Sequence, residues 1–257
     1  MSKYLSLFFI SFICICAFFS CTKTTPLHPL PANYRLYSFS KLHQLNTQRS
    51  YTDKYTFSYN TNNQVSQIVF TSNDTSIPNQ VIYFTYSHDS IYKSVYGVNN
   101  SHKIDSAIFI FNTYNQITES YEPYDTMQYS YFGKLLTKES YLSFSPYYDG
   151  ISTLYYSANG DFYKSASQVS NDSTLVFNFY TDFNRTGDYL QLNSFCRYGY
   201  NFYQNDHLVK HMNSSGYTTD VTYVIDADNK ITQTNATVVD SIGDIYTAQY
   251  NLQYITF

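Results

Sequence analysis

The chain is poor in the residues that mark several common classes of protein. Tryptophan is absent, and glycine numbers 8 and proline 6 among 257 residues, which excludes collagen-like and Pro/Gly-rich disordered chains. Only 13% of residues are charged, and the net charge of −4 offers no basic face to nucleic acid. Glutamate occurs only at Glu119, Glu122 and Glu139, so no pair of carboxylates is marked out for glycoside chemistry. A glycine-rich phosphate loop and a serine nucleophile elbow are both missing. Beyond an apolar run from Leu5 to Phe19, no stretch has helical spacing. What is plentiful is aromatic: 31 Tyr and 20 Phe, enough ring surface to exclude intrinsic disorder.

The four cysteines fall into two groups. Cys14 and Cys16 lie in the apolar run and Cys21 directly after it, while Cys196 stands alone in NSFCRYGYNFY. A basic Lys3, fifteen apolar-rich residues and a small Ser20 read as a secretory signal peptide. The run is shorter than the roughly 20 residues a membrane-spanning helix needs. Phe18-Phe19-Ser20-Cys21 resembles the lipobox of Bacteroidota lipoproteins. That resemblance implies cleavage after residue 20 and diacylglycerol on Cys21, anchoring the chain to a membrane. The mature chain then carries 14 basic against 19 acidic residues, and one remaining thiol that cannot form an internal disulfide. Cys196 reads as a small strand residue. Residues 21–33 form a Pro-rich tether whose only charge is Lys23. Surface-exported lipoproteins of this group commonly carry an acidic run here, so the resemblance implies an outer-membrane anchor facing the periplasm.

Residues 34–257 form one domain with an internal repeat. YTFSYNTNNQVSQI (Tyr55 to Ile68) and AIFIFNTYNQITES (Ala107 to Ser120) share an aromatic anchor, Asn-Thr-x-Asn-Gln, then Val or Ile. Nine anchors, 20–27 residues apart, run from Tyr59 through Tyr86, Phe111, Tyr131, Tyr156, Phe179, Phe202 and Ile225 to Tyr250. Each copy reads as strand, polar turn, strand, with Asn, Asp, Gly and Ser in the turn. At the anchors and the positions two and four residues before them, 26 of 27 residues are apolar or aromatic; only Ser152 is not. Period-two alternation of this kind puts one side chain in two on a common face. Phe57, Tyr59, Phe84, Tyr86, Phe109, Phe111, Tyr129, Tyr131, Tyr156, Phe177, Phe179, Tyr200, Phe202 and Tyr223 are thus expected to face inward. The second strands alternate less regularly, and a bulge after the turn is expected to bring Val65 and Ile68 to the same side.

The copies Tyr59–Val65, Phe111–Ile117 and Ile225–Ile231 resemble the Tyr-Asp (Rhs-type) repeats of bacterial surface proteins. More closely, the chain resembles Bacteroidota lipoproteins of unknown function with a porin-like domain. Both resemblances imply an all-β antiparallel meander, and neither supplies catalytic residues. Nine hairpins give about 16–18 strands, more than an open sheet carries without curling. An open lumen of that size lined with apolar side chains is untenable in water, so a flattened or curled barrel with its aromatic face inward is expected. A membrane-embedded barrel is the rival shape; expected strands of six to eight residues are shorter than the roughly 9–11 it needs.

The remaining polar motifs read as structure. His207 and His211, four apart on an expected strand, read as two surface histidines, since four strand residues span about 13 Å. Asp226, Asp228 and Asn229 read as a turn, lacking the Gly and Glu of a calcium loop. Asp-Ser and Asp-Thr pairs resemble the general O-glycosylation site of Bacteroidota, implying glycans on Ser90, Ser106, Thr126, Ser173 and Ser241. No metal or cofactor is expected. The expected function is non-enzymatic: a lipid-anchored binding module for an apolar or glycan ligand, with an assembly role toward another envelope protein as the alternative.

Overall fold

A computed structural model describes residues 34–45, 49–98, 102–123, 125–143, 150–158, 160–167, 174–184, 192, 207–214 and 216–256. Sixteen strands account for most of them: β1 (Tyr34–Leu45), β2 (Arg49–Tyr59), β3 (Val65–Ser72), β4 (Gln80–Tyr86), β5 (Ser90–Gly97), β6 (Lys103–Phe111), β7 (Ile117–Tyr121) and β8 (Asp125–Phe132). The second half comprises β9 (Leu135–Ser143), β10 (Gly150–Tyr156), β11 (Phe162–Ser167), β12 (Thr174–Asn184), β13 (His207–Asn213), β14 (Tyr217–Ile225), β15 (Ile231–Asp240) and β16 (Ile245–Thr256). Each strand pairs antiparallel with the next, and β1 pairs with β16 from Tyr34↔Thr256 to Leu45↔Tyr246, closing the barrel. Closure leaves no exposed edge. Cys21 and its tether, Cys196, Ser173, Tyr200 and Phe202 lie outside the described residues.

One turn device recurs five times, four times within copies of the repeat and once, at Asp240, between two copies. At Asn60, Asn112, Ser157, Asp226 and Asp240 the first turn residue donates its N–H to the carbonyl four residues on, at 2.8–3.1 Å. At Asn60, Asn112, Asp226 and Asp240 the side-chain oxygen also accepts the N–H groups of the second and fourth residues after it. The residue before the turn closes has positive φ: 62° at Asn63, 57° at Asn115, 61° at Asn229, and 87° and 89° at Gly160 and Gly243. This is the three-residue hairpin loop that ends in a left-handed residue, which Asn and Gly adopt at least cost.

The bulge expected after the turn is present in five strand pairs. Ser66, Thr118, Thr137, Tyr163 and Thr232 are the extra residues, each passed over where the register shifts. Three of them return a hydroxyl to a carbonyl of the preceding strand: Thr118 to Ile110, Thr137 to Ser130, Thr232 to Val224, at 3.1–3.4 Å. Because of the bulge, Val65 and Ile68 are both buried, as are Ile117 with Ser120 and Ile231 with Thr234.

Among the described residues the inner face is closely packed. Phe57, Phe84, Phe109, Tyr129 and Phe177 are buried, and Tyr59, Tyr86, Phe111, Tyr131, Tyr156 and Tyr223 pack half-buried against the same cluster, which draws on all sixteen strands and on Leu192. The backbone of Phe179 pairs with Val209 in that wall. Ile68, Phe109, Ile117 and Leu136 have 0% exposure, which a round, open 16-stranded ring could not give them. Tyr86, Tyr131 and Tyr254 donate their hydroxyls to Val65, Ile117 and Ile231, the first residues after neighbouring turns, at 2.8–2.9 Å. Burial pushes the Tyr86 phenol up to about 12 and raises Tyr59 and Tyr156 as well.

Strand lengths meet the expectation of six to eight residues in β3, β4, β5, β8, β10, β11 and β13 and exceed it most in β1 and β16, with 12, and in β2 and β12, with 11. With β7 at 5 residues, half of the strands fall short of the roughly 9–11 that a membrane-spanning strand needs. Outward positions read Ser50, Thr52, Lys54, Thr56, Ser58 on β2 and Thr218, Asp220, Thr222, Val224 on β14. Those two rows are polar, whereas Tyr83, Tyr92, Ile108, Ile110 and Tyr121 point outward on β4 to β7, so the outer face is mixed.

Candidate ligand-binding site

Strand direction sorts the connections to two ends. Tyr34 and Thr256 lie at one end together with the turns at 60–64, 112–116, 133–134, 157–161 and 226–230, here termed the turn end. The connections at 73–79 and 241–244 and the one that leaves β7 at 122–123 lie at the opposite end.

A cleft of about 610 Å³ opens at the turn end between the β6–β7 and β8–β9 turns. It is lined by Asn112, Tyr114, Gln116, Thr118, Lys134, Tyr129 and Tyr131. Gln116 donates its Nε2 to the Gly133 carbonyl at 2.6 Å, tying the two turns together. Asn112 donates its Nδ2 to Gln116 Oε1 at 2.9 Å, which fixes both amides. Tyr129, 6% exposed, shares a 3.2 Å hydrogen bond with Ser120. Tyr114 by contrast is 82% exposed, and Phe132 on the next turn 80%. A free ring face beside fixed amides and an ammonium is suited to a polyhydroxylated ligand: the ring covers a sugar face and the amides meet its hydroxyls. The sequence pattern places Tyr114 in a turn but carries no signal that the neighbouring turn will stand beside it.

A second polar feature lies inside the wall. Thr234, Tyr250, Lys41, Asp53 and Ser72 occupy one inward row across β15, β16, β1, β2 and β3. Asp53 Oδ2 meets His43 Nε2 at 2.9 Å, and His43 stacks on Tyr51 with centroids 4.2 Å apart. Asp53 Oδ1 and Thr234 Oγ1 are buried without a hydrogen-bond partner. Burial and the neighbouring Lys41 charge lower the His43 pKa, outweighing the opposing pull of Asp53.

The histidine pair read as superficial divides. His207 is largely buried: its Nδ1 lies 2.6 Å from Asp161 Oδ2 and its N–H donates to Asp161 Oδ1 at 2.9 Å. It clasps the β10–β11 turn to β13, a contact 46 residues apart in sequence that no local pattern announces. His211 is partly exposed and pairs with Asp220 at 2.7 Å. Asp226 serves as the turn acceptor already described, with Lys230 returning to it at 3.4 Å. Among the described residues no group of three or more His, Cys, Asp or Glu could hold a metal ion. Of the Asp-Ser/Thr positions, Ser241 is exposed in a turn and Ser106 and Thr126 are partly covered. Ser90 is 3% exposed with its hydroxyl 2.6 Å from that of Ser87, which leaves a glycan no room in the folded barrel.

No protein-family model matches the sequence, and no curated protein does. Among solved structures the chain is similar to a porin-like protein from Bacteroides uniformis, with TM-score 0.65 at 12% identity, covering 86% of this chain and 98% of that one. It is also similar to a porin-like protein from Bacteroides vulgatus, with TM-score 0.52 at 14% identity, covering 86% and 99%. At these identities the likeness is one of fold: the chain has the porin-like barrel of both.

Proposed function

We propose that this chain is a lipid-anchored protein of a bacterial cell envelope, held through Cys21 to the outer membrane, and that its barrel is a non-enzymatic module for binding a glycan. The observation that carries the reading is the cleft at the turn end, lined by the exposed Tyr114 together with amides fixed by hydrogen bonds. Its volume falls in the range of ordinary ligand sites, about 300–1,000 Å³. The close packing of the described inner residues counts against the apolar alternative, because among them a greasy ligand would have to displace packed core. The porin-like neighbours and the lipobox resemblance support placement in the envelope, and the absence of an acidic run after Cys21 supports the periplasmic side.

A second reading has its own observation. Tyr83, Tyr92, Tyr96, Ile108, Ile110 and Tyr121 face outward on adjoining strands β4 to β7, with Tyr83 and Tyr96 in edge contact at 5.9 Å. Such a band suits a flat protein partner, as an assembly component would need. Titration calorimetry of the Cys21→Ser chain against envelope-derived oligosaccharides separates the two. The glycan reading expects binding that Tyr114→Ala weakens at least tenfold, about 1.4 kcal/mol, with Tm unchanged. Oligosaccharide binding that is absent, or indifferent to Tyr114→Ala, refutes it.

A further inference from the structure

Tyr34, the first described residue, enters β1 at the turn end, opposite Thr256. Only the 12 residues 22–33, or 13 residue steps, separate it from Cys21. Fully extended, a chain of that length reaches at most about 43–47 Å. A strand of 12 residues such as β16 is about 40 Å long, and with a barrel tilt of about 35–45° the wall stands roughly 30 Å high. Turning the opposite end toward the membrane would therefore use most of the tether simply to run along the wall. The turn end has no such constraint.

The same end bears the cleft, and its rim is built for an interface. Tyr114 and Phe132, 82% and 80% exposed, project from turns joined by the Gln116–Gly133 hydrogen bond, with Lys134 beside them. Aromatic rings with a neighbouring cation suit the headgroup layer, where one side is apolar and the other wet and anionic. We infer that the turn end faces the membrane that holds the anchor, and that the glycan taken by the cleft is the sugar headgroup of a lipid in that membrane. The inference rests on the lipid-anchor and glycan readings above and names the source of the ligand.

The absence of tryptophan makes the test direct. Tyr114→Trp, Phe132→Trp and Ile242→Trp each introduce a single reporter into the full lipidated chain; Ile242, 82% exposed, marks the opposite end. The chains are reconstituted on phosphatidylethanolamine/phosphatidylglycerol vesicles with brominated acyl chains, with and without monoglucosyldiacylglycerol. Flotation of the protein with vesicles reads the anchor separately, and failure to float overturns the anchor reading together with this inference. With flotation intact, quenching at residues 114 and 132 is expected to exceed that at 242 several-fold and to deepen at 114 with the glycolipid. Free methyl glucoside should compete only at tenfold or greater excess, because membrane presentation raises the effective concentration. Equal or stronger quenching at 242, or free sugar competing at parity, overturns the inference while leaving glycan binding intact.

Discussion

Asp53 and His43 show how a single buried pair sets a pH response. His43 is held below the ordinary histidine value by burial and by Lys41, so it is neutral in the native barrel. In the unfolded chain it takes up a proton near pH 6.5. The unfolded state then binds more protons, and stability rises with pH through this window. The contribution is full above pH 6.5 and is lost as pH falls toward and through the lowered native value. Solvent screening at a ring only partly buried keeps it below about 1 kcal/mol, or roughly 1–3 °C in Tm. Thermal melts between pH 7 and pH 5 should show that decline, and His43→Gln should flatten it. A Tm that rises on acidification, or an unchanged slope in the variant, contradicts the assignment. Neither residue stood out in the sequence, since Lys41, His43 and Asp53 are meaningful only once β1 lies against β2.

At the scale of the element, the turn is the unit that repeats. Asn115 has φ of 57° and closes the β6–β7 loop. Asn115→Gly keeps that backbone available and should change stability by no more than about 0.5 kcal/mol. Asn115→Val, whose branched side chain resists a left-handed backbone, should cost about 1–2 kcal/mol in urea unfolding. Similar losses for both would contradict the conformational argument. The first strands of the repeat were legible because their inward residues are nearly all apolar. The second strands were obscure for a physical reason. The bulge resets the alternation, so the residue three after Val65, Ile117, Leu136, Phe162 or Ile231 faces inward, and these are Ile68, Ser120, Glu139, Ser165 and Thr234. Four of the five are polar, and a hydrophobic pattern cannot find them.

At the scale of the molecule, closure depends on β1, which lies before the first repeat and carries no copy of it. Its inward residues include Leu36 and Phe39 on either side of a register shift at Tyr37, then Lys41 and His43. That phase change and those charges conceal a strand that joins both β2 and β16. The cleft was equally hidden, since it arises where two turns meet across β7, and the copies give no measure of how turns stand in space. The central claim is that alternate side chains fill the barrel while the others meet water. Single cysteines in a chain of residues 22–257 carrying Cys196→Ser, which lacks Cys14, Cys16 and Cys21 along with the leader, test it most directly by thiol labelling in detergent-free buffer. Ala107 and Ala236 are 2% and 1% exposed, while Lys54 and Gln128 point outward. Ala107→Cys and Ala236→Cys should stay unlabelled until denaturant is added, and Lys54→Cys and Gln128→Cys should react at once. Rapid labelling at 107 and 236 in the folded protein would mean a water-filled lumen and would contradict the account.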